Sequence, residues 1–372
     1  MSNLVLYRKY RPQKFSEIIG QEHVVQTLTN ALSLDLISHA YLFAGPRGCG
    51  KTTIARVFAK AINCQKRKRG EWEPCNQCFS CLEIMKGQSL DLIEIDAASH
   101  RGIDEIRELR DGIKFVPSKS KYKVFIIDEA HQLTKEAANA LLKTLEEPPA
   151  HAIFILATTE IHKMIPTIIS RCQRFDFRKL TINEITKRLE LILEKEKKKM
   201  EKSALELIAI QASGSIRDAE SLLDQVLSFA GEKKEIKAED LKELLGLVEI
   251  NLISQFCDLL FKKKSVEAIN FLNEILEKGY DLQQFAKSLI NYLRQALILK
   301  ITNINDYHLN NPLTSGLTKE EFEKIKNQIF SLTLADLEKM INLFLEAENK
   351  MKYSPILQLP LELAIIEYCG VV

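Results

Sequence analysis

The sequence has no long apolar run. None of its stretches approaches about 18 consecutive apolar residues, and residues 1–10 lack the apolar core of a secretory signal. An excess of charge is also missing, since Lys plus Arg total 52 and Asp plus Glu total 50, a formal net charge of +2. We therefore expect a cytoplasmic protein with no membrane contact, in which any nucleic-acid contact comes from local patches.

Internal repeats and a low-complexity tail are lacking too. The 372 residues nevertheless exceed one usual hydrophobic core, and a composition of 46% hydrophobic and 27% charged residues is typical of a globular protein. Two or three domains are expected. In a cytoplasmic protein, the eight cysteines are expected as thiols or metal ligands rather than disulfides.

The most specific motif is a phosphate-binding loop, G-x-x-x-x-G-K-T, at residues 45–52. Its glycines let backbone N–H groups turn toward a triphosphate, Lys51 brings positive charge to the β- and γ-phosphates, and the Thr52 hydroxyl is a ligand for Mg²⁺. A strand-like run precedes the loop and an amphipathic helix follows it, with its N-terminus toward the phosphates. We predict that ATP is contacted by Gly45, Pro46, Arg47, Gly48, Cys49, Gly50, Lys51, Thr52 and Thr53.

Four cysteines are spaced C-x10-C-x2-C-x2-C, at Cys64, Cys75, Cys78 and Cys81. The two tight steps suit a tetrahedral Zn²⁺ site. An iron–sulfur cluster is the rival, although its usual closing C-x3-C-P is missing, and unliganded thiols are the third interpretation. We favour a structural zinc insertion at about residues 64–81 and interpret the basic run 66–69 within it as a solvated loop rather than a DNA contact.

Strands and helices alternate around these motifs. Apolar runs predict strands over residues 40–44, 90–96, 124–127 and 152–157, and helical periods occur at 103–113 and 138–145. This pattern predicts a doubly wound α/β domain over residues 1–178.

From residue 179 onward the pattern predicts helices alone. Helical stretches at 183–199 and 203–212, and a third that opens after Gly214, indicate a small helical lid over residues 179–242. Residues 243–372 read as an all-α domain for assembly or packing.

Two carboxylates follow a buried strand. Asp128 is placed to hold Mg²⁺ through water, and Glu129 to polarise the attacking water as a general base. Thr158 ends the next strand, where it either hydrogen-bonds that water or the γ-phosphate or simply caps the strand. From the residues alone, Arg171 and Arg217 read as surface arginines.

These motifs resemble the gamma/tau family of bacterial DNA polymerase III subunits, which are AAA+ clamp-loader ATPases. The resemblance spans about the first 225 residues, and the last third is similar to the family's helical collar only in kind. The segments that match are 10–15, 39–43, the phosphate loop 45–52, the four cysteines, 91–99, 127–131, 140–149, 169–172, 214–219 and 223–225.

The resemblance implies a fold and residue roles. The fold is an α/β P-loop NTPase (AAA+) domain with a zinc-binding insertion, followed by a small helical lid and an all-α collar domain. Thr158 matches the first sensor, Arg217 the second sensor on the lid, and Arg171 the arginine finger that reaches the ATP of a neighbouring subunit. Hydrolysis of ATP to ADP and phosphate would then be an interface property, and the isolated chain a poor ATPase.

The resemblance also implies partners. They are the other clamp-loader subunits of a hetero-pentameric ring, the sliding clamp, primer–template DNA and, through a partner subunit, single-strand binding protein. The chain would act within the DNA polymerase III holoenzyme, a DNA-directed DNA polymerase, without polymerising DNA itself. Because the sequence ends after the collar, we expect no tau-type segments for polymerase and helicase.

Two other functions use the same phosphate loop. A scaffold that binds nucleotide without hydrolysing it is disfavoured by the intact Lys51, Thr52, Asp128, Glu129 and Arg171. An AAA+ translocase on branched DNA is disfavoured by the cysteine insertion and by the Ser-Arg-Cys motif at residues 170–172.

Overall fold

A five-stranded parallel sheet lies at the centre of the first half of the chain, in a computed structural model. The structure describes residues 4–99, 112–113, 115–231, 235–237, 241, 250–302, 319–329 and 332–370. The chain divides into two units, Met1–Ile236 and Lys237–Val372.

The sheet has the strand order β2–β3–β4–β1–β5. Strands β1 and β4 are buried along their whole length, and β3 is buried except at its two ends, as apolar runs covered on both faces require. Because the strands are parallel, the carboxyl ends of β1, β3 and β4 meet at one edge, where ligands bind in such folds. The strands are β1 Ala40–Ala44, β2 Leu92–Asp96, β3 Lys123–Asp128, β4 Ala152–Thr158 and β5 Gln173–Asp176.

Helices cover both faces of this sheet, which confirms the predicted α/β fold. On one face, Leu28 and Phe58 pack on Tyr41, and on the other Leu141 packs in a core with Phe125. The predicted helix at 103–113 lies outside the described residues except for 112–113. The helices are α1 Leu6–Lys9, α2 Glu22–Leu34, α3 Lys51–Ile62, α4 Phe79–Lys86, α5 Lys135–Glu146 and α6 Pro166–Ile169.

A small helical lid completes the first unit, with helices α7 Ile182–Glu196, α8 Lys202–Gln211 and α9 Ile216–Ala230. The prediction that strands stop at residue 179 is wrong in one detail. Two-residue strands, β6 Lys199–Met200 and β7 Glu235–Ile236, pair in parallel here. Segments this short carry no periodic pattern that sequence reasoning detects.

The described part of the second unit is helical. Phe256 packs against Phe285 and Phe344, with ring centroids 5.2 and 6.2 Å apart, at the centre of its core. The predicted domain boundary at 242/243 lies outside the described residues, and the division into three domains stays a prediction. The helices are α10 Ile250–Phe261, α11 Ser265–Glu277, α12 Leu282–Thr302, α13 Lys319–Gln328, α14 Leu334–Met351 and α15 Leu359–Cys369.

Within the residues that the structure describes, no helix combines the length and the apolar character that crossing a bilayer requires.

Candidate functional site

The phosphate loop connects β1 to α3 and passes close to its neighbours. A Cβ on Gly45 would lie 2.4 Å from the Phe177 carbonyl oxygen, and one on Gly48 would lie 1.9 Å from Ser215 Oγ. Gly48 also has a φ of +74°, in the left-handed region that favours glycine. The loop therefore needs glycine at both positions. Gly45 leaves room for Phe177, which directly follows β5, and Gly48 leaves room for Ser215 of the lid.

Lys51 and Thr52 open α3 at the foot of the loop. The buried Lys51 ammonium donates to the carbonyl oxygens of Gly45 and Pro46 at 2.7 and 2.8 Å. The Thr52 hydroxyl donates to Asp128 Oδ2 at 2.7 Å, from the first turn of α3 to the end of β3. A hydroxyl and a carboxylate in contact are the oxygen donors that Mg²⁺ accepts beside a nucleotide.

Glu129 follows Asp128 with a positive φ of +49°, which turns the chain out of the strand. The Thr159 hydroxyl donates to Glu129 Oε2 at 2.8 Å. The neighbouring Thr158 hydroxyl is fully buried, accepts the Glu160 N–H at 3.1 Å and lies 3.0 Å from His131 Nδ1. Thr159 therefore contacts Glu129, while the predicted role of Thr158, a hydrogen bond to the attacking water or the γ-phosphate, stays a prediction.

A cavity of about 440 Å³ is lined by Lys51, Thr52, Asp128 and Glu129 and is closed on one side by the lid. Arg217, in the first turn of α9, faces it and stacks its guanidinium 4.9 Å from the centre of the Tyr7 ring. The cavity is lined by Tyr7, Arg11, Pro12, Glu17, Ile18, Ile19, Arg47, Gly48, Cys49, Gly50, Lys51, Thr52, Thr53, Ile54, Asp96, Ala98, Asp128, Glu129, Leu180, Arg188, Ile216, Arg217 and Glu220.

Arg171 is not among the residues that line this cavity. Its guanidinium donates to Glu146 Oε1 at 2.6 Å and to the Thr167 carbonyl at 2.9 Å, on a partly exposed surface. The structure thus brings together Lys51, Thr52, Asp128, Glu129 and Arg217, leaves the Thr158 side chain just behind them and places Arg171 elsewhere.

Several residues of the site carry no clear sequence signal. Arg188 and Glu220 form a buried ion pair of 2.8 Å between α7 and α9, and Arg188 also donates to the Tyr10 carbonyl. Burial raises the pKa of Glu220, and the charge of Arg188 opposes this rise. Burial also lowers the pKa of Arg11, which the nearby charge of Arg56 lowers further. Because these residues are far apart in sequence, only the fold places them together.

The sequence motifs also do not identify Gln21 and Asp96. Gln21 is fully buried, donates to the Arg178 carbonyl at 2.7 Å and accepts the Arg178 N–H at 3.1 Å. It thus joins the start of α2 to the segment that leads into the lid. Asp96 ends β2 directly beside Asp128, and an acidic residue at a strand end was the signal that could have identified it.

The four cysteine sulfurs all lie within 4.8 Å of one another. Tetrahedral coordination with Zn–S bonds of about 2.3 Å needs sulfurs about 3.8 Å apart, so the cluster fits a zinc ion after small side-chain shifts. Burial raises the pKa of Cys75, but N–H groups of Gln77 and Cys78 donate to its sulfur and lower that pKa to about 6. Cys75 is therefore prepared to bind a metal as a thiolate, whereas burial raises the pKa of Cys64 and of Cys81.

The cysteine insertion is tied to the N-terminal segment that lines the cavity. The Glu73 carboxylate accepts the N–H groups of Phe15 and Ser16 at 3.0 and 2.8 Å. The buried Lys60 ammonium donates to Gln13 Oε1 at 2.8 Å. A metal site in the insertion would therefore hold part of the wall of the nucleotide cavity.

Three sequence families match this chain in succession. "DNA polymerase III, delta subunit" matches residues 20–181, "DNA polymerase III clamp loader subunit, ATPase lid domain" matches residues 184–232, and "DNA polymerase III subunits gamma and tau domain III" matches residues 236–372. The matches cover the sheet, the lid and the helical unit in turn.

Curated relatives agree with these matches. The chain is 45% identical over 369 residues to DNA polymerase III subunit tau of Bacillus subtilis, covering 99% of this chain and 64% of that protein. It is 38% identical over 372 residues to DNA polymerase III subunit gamma of Buchnera aphidicola, covering 98% of each chain. The chain thus spans about two thirds of the tau relative and nearly all of the gamma relative.

A solved structure of Thermotoga maritima RuvB is similar in fold. Its TM-score is 0.50 at 18% sequence identity, with 86% of this chain and 90% of that chain covered. This likeness supports the fold alone, a parallel sheet followed by a helical lid. The family and relative matches identify the chain more narrowly: it belongs to the gamma/tau family of DNA polymerase III subunits.

Proposed function

We propose that this chain is an ATP-hydrolysing motor subunit of the replicative clamp loader, which opens the sliding clamp and loads it onto primer–template DNA. One observation carries the proposal. The 2.7 Å hydrogen bond from Thr52 to Asp128 joins the phosphate loop to the strand-end carboxylates, inside a cavity that Arg217 of the lid also lines.

ATP would lie with its phosphates on the loop. The N-terminus of α3 and the inward N–H groups of the loop favour a polyanion, and the Lys51 ammonium would exchange its two carbonyl acceptors for phosphate oxygens. The base would lie on the apolar part of the cavity, beside Ile18, Leu180 and Ile216.

Thr52 and Asp128 are the residues that would hold Mg²⁺ beside the β- and γ-phosphates. When bound, the ion neutralises charge on those phosphates. Glu129 would accept a proton from the attacking water, and the Thr159 hydroxyl would hold its carboxylate until the γ-phosphate is in position.

Positive charge for the transition state would come from two arginines. Arg217 would reach the phosphates from the lid of the same chain, since it already lines the cavity. Arg171, on a separate surface, would act on the ATP of a neighbouring subunit, with Thr158 as a sensor behind Glu129. Hydrolysis would then require assembly.

The proposed partners follow from this chemistry and from the family. They are the other loader subunits, joined in a ring by the all-α domain at residues 243–372, together with the sliding clamp and primer–template DNA. Residues 1–178 and 179–242 would form the ATPase domain and the lid. Zn²⁺ held by Cys64, Cys75, Cys78 and Cys81 would have a structural role.

The test is an ATPase assay with the chain alone and then with the other loader subunits, clamp and primed DNA. We expect slow hydrolysis by the isolated chain and strong stimulation when all components are present. Omitting the clamp or the DNA should remove most of the stimulation. An ATPase rate that is unchanged by any of these partners would contradict the proposal.

A further inference from the structure

A second cleft lies on the cysteine insertion, separate from the residues that line the nucleotide cavity. Its volume is about 500 Å³. Five cationic side chains line it, against one carboxylate, that of Asp35. The cations are Arg67, Lys68, Arg69, Lys119 and Lys121.

The two walls of this cleft come from different parts of the sequence. One wall is the basic turn, residues 66–69, and the other is the loop 119–121. Residues 66, 68, 69, 119 and 121 are exposed. Lys119 and Lys121 also lie 3.8 and 3.6 Å from the carboxylates of Glu83 and Asp35, in ion pairs that solvent reaches. The basic run alone predicts a solvated loop, and the second wall of the cleft lies about 50 residues further along the chain.

Buried polar side chains hold both walls in place. Arg67 donates to the carbonyl oxygens of Leu32, Ala61 and Glu71 at 2.9, 2.9 and 3.0 Å, which fixes the basic turn. The Asp91 carboxylate accepts three successive N–H groups, those of residues 118–120, at 2.7 to 3.0 Å. The cleft is therefore preformed rather than a product of flexible lysines.

Asn63 joins the two walls. Its amide donates to the Tyr122 carbonyl at 2.8 Å and accepts the Tyr122 N–H at 2.9 Å, from the end of α3. Asn63 also lines the cleft and is nearly fully buried. Its two hydrogen bonds set the spacing between the basic segments.

Exposed aromatic rings flank the cations. The Phe79 ring is 46% exposed and lies 4.3 Å below the Lys119 ammonium. Trp72 is also 46% exposed and directly follows Glu71, whose N–H donates to the Lys68 carbonyl at 3.0 Å. Basic side chains interleaved with exposed rings are the combination that single-stranded nucleic acid uses, with phosphates on the cations and bases stacked on the rings.

We propose that this cleft binds single-stranded DNA. The phosphates lie along Lys68, Arg69, Lys119 and Lys121, and unstacked bases pack on Trp72 and Phe79. A duplex keeps its bases stacked internally and makes no use of the two rings. An acidic peptide satisfies the cations but leaves the rings unused. The proposal does not depend on ATP hydrolysis.

Trp72 is the only tryptophan of the chain, so its fluorescence reports on binding beside the basic turn, which ends three residues before it. When the full chain is titrated with oligothymidylate in the absence of ATP, the Trp72 fluorescence should be quenched. Anisotropy of a labelled oligothymidylate gives the affinity independently. With about four phosphate contacts, the logarithm of the affinity should fall with log[salt] at a slope of about −3.

Charge-reversal variants distinguish DNA binding at this cleft from DNA binding elsewhere on the chain. Lys119→Glu with Lys121→Glu should weaken oligothymidylate binding by at least about tenfold and abolish the Trp72 quench. Lys202→Glu with Lys278→Glu changes the net charge equally at two exposed lysines outside the cleft, and it should leave the quench intact. If the loop variant does not fold, Lys68→Glu with Arg69→Glu tests the other wall.

Phe79→Ala tests stacking without a change of charge and should weaken binding about tenfold. An unquenched Trp72 at saturating oligothymidylate, or equal affinity in the charge-reversed and control variants, would overturn the proposal. Quenching by polyglutamate at equal concentration would also overturn it, because the cleft would then recognise acidic protein segments.

Discussion

Gly48 of the phosphate loop and Ser215 of the lid are in direct contact. Ser215 Oγ occupies the space 1.9 Å from where a Gly48 Cβ would lie, and the next residue, Ile216, donates its N–H to the Gly48 carbonyl at 3.0 Å. Ser215 is also the N-cap of α9, the helix that carries Arg217. The position of the lid is therefore coupled to the loop that holds the phosphates.

Gly48→Ala should separate the lid from the loop. We expect a loss of at least about tenfold in ATP affinity, because the new Cβ displaces Ser215 and with it Arg217, and because φ of +74° costs a residue with a Cβ about 1–2 kcal/mol. Equilibrium titration with a fluorescent ATP analogue measures the change.

Two variants serve as controls for Gly48→Ala. Gly87→Ala meets the same backbone strain, with φ of +68°, but its Cβ has nothing within 4 Å, so ATP affinity should not change. Adding Ser215→Gly to Gly48→Ala should restore part of the affinity. No rescue would mean that the contact with the lid is not the cause.

Glu184 should make stability depend on pH. The Arg178 guanidinium donates to its carboxylate at 2.6 and 2.8 Å and lowers the pKa of Glu184 to about 2, from the usual 4.5. The stabilisation is therefore present above pH 4.5 and is lost as the pH falls toward 2. Because the Arg178 side chain is 42% exposed, we expect only about 1 kcal/mol.

Urea unfolding of Glu184→Gln measures this contribution. The variant should be less stable than the wild type by about 1 kcal/mol at pH 7, and the difference should shrink as the pH falls from 5 to 3. Glu22→Gln alters the more exposed carboxylate beside Arg178 and should have a smaller effect. A difference that is independent of pH would show that the carboxylate charge is not responsible.

Cys78→Ser should remove the metal. Purified wild-type chain is expected to contain about one zinc per molecule, and the variant little or none, since one of four thiolate ligands is lost. Elemental analysis measures the content. Unfolding of the first unit should begin about 5 °C lower, if the lost ligand costs about 2 kcal/mol.

Cys369→Ser is the matched control for Cys78→Ser, because Cys369 lies outside the four-cysteine cluster. Its zinc content should equal that of the wild type. A wild-type preparation that is well folded and free of metal would contradict the structural zinc assignment.

Arg171→Ala should leave ATP binding intact and reduce ATP hydrolysis in the assembled loader by about 1,000-fold, as the loss of an arginine finger does. Arg174→Ala is a suitable comparison, since Arg174 is an exposed arginine three residues away that pairs with Asp176. The measurement is the ATPase rate of each variant in the assembled loader, in the presence of clamp and primed DNA. Normal hydrolysis by the assembled Arg171 variant would exclude Arg171 as the finger.

Much of the sheet could be predicted because its central strands are continuous apolar runs. The strand predicted at 152–157 matches β4 except for its last residue, and the strand predicted at 124–127 is the middle of β3. The edge strand β5 was missed, because only Phe175 among its four residues is buried. An edge strand with one buried side chain has no distinct pattern.

The phosphate loop, its helix and the strand-end carboxylates were predicted from local spacing, since each function there needs adjacent residues. The contacts between distant segments could not be predicted in this way. Arg188 and Glu220 lie inside helical patterns in which an arginine or a glutamate normally faces water. Thr159 directly follows β4, so the contact of its hydroxyl with Glu129 depends on how the folded chain leaves that strand.

Equilibrium binding of ATP to the wild type and to Lys51→Ala, with exposed Lys135→Ala as the control, tests the central claim most directly. We predict saturable, Mg²⁺-dependent binding to the wild type and to Lys135→Ala, and a loss of at least about 100-fold for Lys51→Ala, equivalent to roughly 2.7 kcal/mol. Equal ATP affinity in the wild type and Lys51→Ala would contradict the assignment of the cavity as the nucleotide site.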